Sequence, residues 1–300
     1  MTPSAAIGQR ENIPAALFLA LLGMSAFTPI FAAGKLAGGV LPIVALVWLR
    51  FAGGAATILC VASVKKIPLH KQLSPLWKLH LMRAVCGVGG LACAVYAASV
   101  MPLADATAIG LTKGIFAIAL AGLILKELVT GKHWIAGAMS MLGAYLVVQS
   151  ADSVAQNSEM ALLGAIAAIA SALFMAAESL IMRYIAQRED TVTILTYVNV
   201  FAALFLAVPV IWLIAKDGIA MSDLLAFAWL GPLAIVGQSF NISAYRRAGA
   251  ATLAPAFYAT VVLSALFGYA VWGEVPGPEA IIGALLILAG GAVLTLRLGR

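Results

Sequence analysis

VLSALFGYAVWGEVPGPEAIIG, residues 262–283, is a hydrophobic run closed by a glutamate, Glu274, and followed at once by a second hydrophobic run. The same design stands at residues 115–136, IFAIALAGLILKELVTGKHWIA, where the closing glutamate is Glu127. The two glutamates are 147 residues apart, close to half of the 300-residue chain. Sliding the sequence against itself by that offset, without a gap, also matches Phe27 to Phe174, Gly90 to Gly237, Ala97 to Ala244, Ala104 to Ala251, Ile135 to Ile282 and Gly143 to Gly290. Alanine matches are expected by chance in so apolar a chain. Acidic residues number only 12, so the glutamate pair in matched context carries most of the weight.

Composition places the chain in a membrane: 63% of residues are hydrophobic and 10% are charged, too few polar groups to cover a soluble domain. Cys60, Cys86 and Cys93 fall inside apolar runs and read as small core residues rather than a disulfide or metal framework. His70, His80 and His133 lie in or beside polar loops and share no ligand spacing, so no metal is expected. The net charge of +6 sits at segment ends, where membrane topology requires it, and does not point to nucleic acid. No GxxxxGK[ST], HExxH or CxxC run occurs, and a potassium-type filter is missing; neither a cofactor nor an obligate protein partner is expected. Arg10 before a long apolar run, with Ala32-Ala33-Gly34 after it, resembles a signal peptide. The run is too long for that, and an uncleaved first helix is expected.

A span needs about 20 apolar residues. Ten candidates appear, at about 13–33, 41–63, 80–101, 103–125, 132–150, 160–183, 192–215, 224–245, 250–272 and 279–297. Pro42 opens the second, Pro102 separates the third from the fourth, and Pro276 and Pro278 separate the ninth from the tenth. With alternating loops and the N-terminus inside, the inner segments hold fourteen basic residues (Arg10, Lys65, Lys66, Lys71, Lys78, Arg83, Lys126, Lys132, Arg183, Arg188, Arg246, Arg247, Arg297 and Arg300) and the outer ones hold Lys35 and Lys216. The positive-inside rule then puts both termini in the cytoplasm. The 147-residue offset carries the chain past five spans. Five is odd, so the second copy enters the membrane from the opposite side. The expected fold is all-α and integral to the membrane, ten transmembrane helices as two inverted five-helix repeats, residues 1–150 and 151–300. Inverted repeats can exchange conformations, which is a structural basis for alternating access.

Gly273-Glu274-Val275-Pro276 after the ninth span, Ile282-Gly283 entering the tenth, Lys126-Glu127 before a fifth span with Gly137 and Gly143, and Trp48-Leu49-Arg50-Phe51 in the second together resemble the drug/metabolite transporter superfamily, EamA group. Within it the chain is similar to bacterial amino-acid exporters of the YddG (aromatic amino-acid) type. The resemblance implies a secondary transporter in a bacterial inner membrane, with its cavity lined by the first, third, fourth, sixth, eighth and ninth spans. The alternatives are a drug or organic-phosphate exchanger of the same fold, for which Arg246-Arg247 could serve phosphate, and an integral membrane enzyme or scaffold.

Charges at mid-membrane are costly and usually face a pathway or a partner. Lys113, with Gly110 and Gly114 beside it, could hold an amino acid's carboxylate or form a structural pair with Glu178. Glu178 shares one helix face with Ser171, Phe174 and Met175, and could meet an amine, carry a proton or pair with Arg183. The repeat partners of Lys113 and Glu178 are Thr260 and Phe31, so neither charge is a duplicated scaffold feature. Asp105 lies near the outer end of the fourth span. Arg50 is expected to tie the second span to neighbouring carbonyls. Gln238, Asn241 and Tyr245 form a polar stripe that lines the cavity or joins helices. Phe27, Tyr96 and Tyr258 are candidate aromatic walls, Pro255 a hinge in the ninth helix, and Glu127 and Glu274 caps of the helix that follows each.

Overall fold

The computed structural model describes residues 12–37, 40–66, 74–100, 109–110, 112–149, 158–273 and 278–295. Glu274, Asp105 and His70 lie outside the described residues, as do the side chains of Thr260, Phe31 and Pro255. The principal helices are α1 (Ile13–Ala37), α2 (Ile43–Val64), α3 (Trp77–Val100), α4 (Lys113–Ile124), α5 (Gly131–Gln149), α6 (Ser158–Ala186), α7 (Thr191–Asp217), α8 (Leu230–Tyr245), α9 (Ala259–Trp272) and α10 (Pro278–Thr295). No strand occurs among the described residues. Helices satisfy every backbone group within one segment, which is what a hydrocarbon solvent demands.

Among the described residues five stretches are long and apolar enough on their own to cross a bilayer: Ile13–Ile30, Val44–Val64, Leu162–Ala186, Thr191–Asp217 and Met221–Tyr245. The outward side of the bundle is apolar as well. Phe18, Leu123, Leu204, Val208 and Trp212 are all exposed, a surface suited to acyl chains rather than water. The interior is filled instead by small residues, Ala16, Ala20, Ala117, Ala121, Ala176, Ala250, Ala251 and Ala254 among them, so backbones approach closely.

Two spans depart from a single helix. The eighth opens with a short helix, Met221–Ala226, and turns through Phe227–Trp229 before α8 begins. The ninth opens with Ala250–Leu253, passes through the 3-10 segment Ala254–Tyr258 and only then becomes α9. Pro255 stands in that 3-10 segment, where its missing N–H and fixed φ prevent a continuous α ladder. Thr112 donates from both its amide and its hydroxyl to the Ile109 carbonyl, at 3.0 and 2.6 Å, and α4 starts at Lys113. Lys113 therefore opens a helix instead of sitting in the middle of one.

The sequence match at 147 residues is also a match of contacts. α1 packs on α8 as α6 packs on α3, α1 meets α9 as α6 meets α4, and the pairs α2–α7 and α5–α10 map onto themselves. A Cβ on Gly237 would stand 3.0 Å from the Phe27 ring, and one on Gly90 would stand 3.3 Å from Phe174 Cβ, so the matched glycines admit the matched phenylalanines. Gly143 lies against the Gly283 carbonyl of α10, while Gly290 lies 2.9 Å, by the same measure, from the Ala136 carbonyl of α5. The residues before the two signature glutamates, Lys126 and Gly273, both have left-handed backbone, φ 53° and 70°. Glycine adopts that conformation freely, whereas lysine does so at a cost.

Candidate functional site

A cavity of about 330 Å³ opens at the centre of the bundle. That volume falls in the range of small-molecule sites, about 300–1,000 Å³. Its wall comes from α1, α2, α3, α4, α6, α7 and α8. α6 contributes Met175, Glu178, Ser179 and Met182, one face at helical spacing. α8 contributes Gln238, Asn241 and Tyr245, the polar stripe visible in the sequence. α1 presents Met24, Phe27 and Ile30, and α2 presents Leu46, Val47, Arg50 and Phe51.

Among the described residues, four charged side chains line this space: Arg50, Arg83, Lys113 and Glu178. Arg83 is the residue that sequence reasoning missed. It was counted with the basic residues at segment ends, yet it lies within α3 with 1% of its side chain exposed. Its Nε is 3.4 Å from Glu178 Oε1, an ion pair whose alignment leaves Nε and Nη1 without a hydrogen-bond acceptor. The available signal was its register: Arg83, Gly87 and Gly90 recur at i, i+4 and i+7, on the face that α3 turns to α6. The partner of Glu178 is thus Arg83 rather than Arg183. The Glu178 side chain is 30% exposed, to the cavity, and its charge acts on Arg50, Arg83 and Lys113 alike.

Arg50 lies over two aromatic rings, 4.1 Å from the Phe51 centroid and 5.5 Å from that of Phe27. It faces the cavity, and the expected fork to backbone carbonyls is replaced by cation–π contacts. Lys113 lines the wall at the first residue of α4. Gln238 accepts from Asn199 Nδ2 at 3.4 Å, which joins the stripe on α8 to α7.

Two of the expected aromatic walls stand elsewhere. Tyr96 on α3 is 45% exposed and does not line the cavity, because its register turns it outward. Tyr258 is fully buried against Gly114, behind the wall. The second and seventh spans take part, and no described residue of the ninth does.

A polar knot stands beside the cavity, joined to it through Tyr245. Arg183 Nε donates to Glu127 Oε1 at 3.1 Å, and Arg183 Nη1 donates to the carbonyl of Tyr245, itself a cavity residue. Glu127 Oε2 accepts from the Ala251 amide at 3.3 Å. Glu127 therefore caps the segment opening the ninth span, not the helix that follows it in sequence; the turn at Lys126 aims it across the bundle. Arg246 donates from Nε to the Ala186 carbonyl at 2.7 Å and from Nη2 to the Glu189 carbonyl at 2.6 Å. Arg247 donates to the Ser243 carbonyl at 2.7 Å. Neither arginine lines the cavity, which removes the basis for a phosphate site at Arg246-Arg247. Asp190 caps α7 nearby, accepting from the Thr193 amide at 3.0 Å and hydroxyl at 2.6 Å. Partial burial pushes the Asp190 carboxyl up, but these hydrogen bonds outweigh it and hold the group below the usual carboxylate range.

A model of the EamA-like transporter family matches residues 14–149 and again residues 162–296. The chain belongs to the EamA-like transporter family. Its two matched stretches coincide with the helices that pair across the bundle. The pseudopaline exporter CntI of Pseudomonas aeruginosa is 29% identical over 282 residues, covering 93% of this chain and 95% of that protein. A riboflavin transporter of Rhizobium johnstonii is 30% identical over 223 residues, 71% and 68% of the two chains. An S-adenosylmethionine uptake transporter of Rickettsia felis is 24% identical over 213 residues, 70% and 69%. A solved crystal structure shares the fold, with a TM-score of 0.80 at 21% identity over 97% of this chain and 99% of that one. The chain is thus a multi-pass membrane transporter and not an enzyme.

Proposed function

We propose that this EamA-like chain is a secondary transporter that exports carboxylate-bearing small metabolites, amino acids including aromatic ones among them, across a bacterial inner membrane by alternating access. The observation that carries the reading is the cavity: among its described lining residues three cations and one carboxylate are gathered near the start of α4, with methionine and phenylalanine also in the wall. Charged groups within a transmembrane bundle mark substrate pathways or pair with one another. A carboxylate is met by Lys113 or an arginine, an amine by Glu178, and an apolar side chain by Met24, Phe27 and Ile30. Export is favoured over uptake by the relative that spans 93% of the chain and is named an exporter.

In this reading the units 1–150 and 151–300 are inverted five-helix repeats, with both termini in the cytoplasm. The exchange-symmetric helix pairing and the matched glycine contacts support it. With Arg83 moved into the membrane interior, thirteen basic residues remain on the inner side against two outside, so the orientation stands. The polar knot at Glu127 then lies at the cytoplasmic face. A second reading, exchange of an organic phosphate, is favoured by the same three cations. Purified protein in liposomes separates the two: labelled amino acids, riboflavin, S-adenosylmethionine and organic phosphates are offered singly, and the compounds that cross faster than in empty liposomes define the substrate.

A further inference from the structure

Two positions matched by the repeat have diverged in use. At an offset of 147 residues Arg50 on α2 corresponds to Tyr197 on α7. Tyr197 serves the scaffold: its hydroxyl oxygen accepts from the Ser74 amide at 3.0 Å, and its ring stacks on His80 with centroids 4.8 Å apart. Arg50 keeps its polar end uncommitted. Among the described residues its guanidinium makes no hydrogen bond and no ion pair; its contacts are the rings of Phe51 and Phe27.

The contrast with Arg83 decides which guanidinium can meet a ligand. Arg83 is 1% exposed, its Nε and Nη1 are shut off from open surface, and Glu178 stands 3.4 Å from Nε. Arg50 is half-buried, lines the cavity, and has no nitrogen shut off in that way. A cation inside a membrane bundle is costly unless it faces a partner or a pathway. The two rings offset part of that cost but accept no hydrogen bond from it. Phe51, the nearer ring, is itself buried in the core, so the platform under Arg50 is fixed. A planar guanidinium held on a ring presents its N–H donors at its edge, the geometry that matches both oxygens of one carboxylate.

Glu178 offers no equal site for an amine. Its Oε1 already faces Arg83, and the Glu178 charge acts on Arg50 as well. An incoming ammonium would enter the field of two guanidinium groups to share a carboxylate that is already paired, which leaves little net attraction. The apolar part of a ligand has a surface next to Arg50. The Phe27 ring, 5.5 Å from that guanidinium, forms the α1 part of the wall with Met24 and Ile30. We infer that Arg50 receives the substrate's carboxylate, and that the ligand class is the amphipathic monocarboxylate, an acid with an apolar arm whose α-amino group is dispensable. The inference rests on the transport reading above and narrows it: an arylalkanoate fits as well as the amino acid with the same arm. Arg50 is then the specificity residue of the cavity.

The test compares matched ligands on the purified full-length protein. Phenylalanine carries both groups, 3-phenylpropionate the carboxylate alone, and phenethylamine and phenylalaninamide the amine alone; 3-phenylpropanamide carries neither. Binding is read in micelles from the ligand-induced shift in melting temperature, and flux from labelled phenylalanine in liposomes. The two carboxylates are expected to act within about threefold of each other, and at concentrations at least about 10-fold below the other three, the size of one charge-assisted contact. In R50Q the preference for 3-phenylpropionate over 3-phenylpropanamide is expected to fall to about twofold or less, with R50K, which keeps the charge but loses the fork, intermediate. On the wild-type protein, phenethylamine or phenylalaninamide acting as well as phenylalanine overturns the inference, and so does 3-phenylpropionate acting about 10-fold more weakly than phenylalanine. Tighter action of phenyl phosphate than of 3-phenylpropionate overturns it in favour of a phosphate ligand. A preference that survives in a cooperatively melting R50Q removes Arg50 from the site; if R50Q does not fold, an R50K protein with wild-type preference and affinity removes the fork. If labelled phenylalanine crosses while these comparisons fail, the inference fails and the transport reading stands; if nothing in this set or the wider panel binds or crosses, both fail.

Discussion

Removing the Glu127 carboxylate should loosen the polar knot between the two halves of the chain, and the structure sets the size of the effect. The Glu127 carboxylate accepts a charge-assisted hydrogen bond from Arg183 at 3.1 Å and a longer one from the Ala251 amide at 3.3 Å. Both partners of the ion pair are largely buried, at 16% and 18% exposure. A hydrogen bond to a charged group contributes about 1.5–3 kcal/mol, and a neutral-donor bond near the geometric limit adds about 0.5 kcal/mol. Arg183 keeps the Tyr245 carbonyl when Glu127 is lost, so it is not stranded. The expected cost of Glu127→Ala is therefore about 2–3 kcal/mol, below the cost of breaking a fully buried pair. A cycle of E127A, R183A and the double variant, measured by denaturant unfolding in micelles, should give a coupling of about 1.5–2 kcal/mol. A coupling below about 0.5 kcal/mol would refute the view that this pair fastens the two halves together.

Three further expectations follow from single contacts. Asp190→Ala removes the N-cap of α7 and should cost about 1 kcal/mol at neutral pH. Because the folded carboxyl titrates below its unfolded value, this contribution is present above about pH 4 and is lost as the pH falls through the lower folded value, so wild type and variant should converge in acid. Gly143→Val drives a side chain against the Gly283 carbonyl and toward the Ile287 amide, 3.0 Å from a Cβ there, and should lower stability by about 1–3 kcal/mol in thermal unfolding. In liposome uptake, Lys113→Ala should raise the apparent KM for a carboxylate substrate about 10-fold or more, while Tyr96→Ala, outside the cavity, should leave it within about twofold.

How much of this was legible in the sequence depends on which physical signal carried each feature. The all-helical, membrane-spanning character was legible because long hydrophobic runs survive any detail of packing. The polar stripe on α8 was legible because three polar residues in an apolar span must share a face. Arg83 was not, because a cation three residues past His80 and five past Lys78 looks like the edge of a span; only the packing of α3 on α6 buries it. The outward turn of Tyr96 and the burial of Tyr258 behind Gly114 depend on helix rotation, which an apolar pattern on every face leaves undetermined. Glu127 was recognisable as a cap, but its partner lies 124 residues away and no local rule names it. His80, expected in or beside a polar loop, is buried, with Nε2 2.6 Å from Glu189 and its ring stacked on Tyr197.

The central claim is that a charged cavity in an EamA-like bundle carries small carboxylates across the membrane. Flux of labelled amino acids and related carboxylates into liposomes holding the purified protein tests it most directly. Saturable flux above that of empty liposomes, abolished or strongly weakened in K113A, is the predicted result. Flux indistinguishable from empty liposomes for every carboxylate tested, or saturable flux that K113A leaves unchanged, would contradict the account.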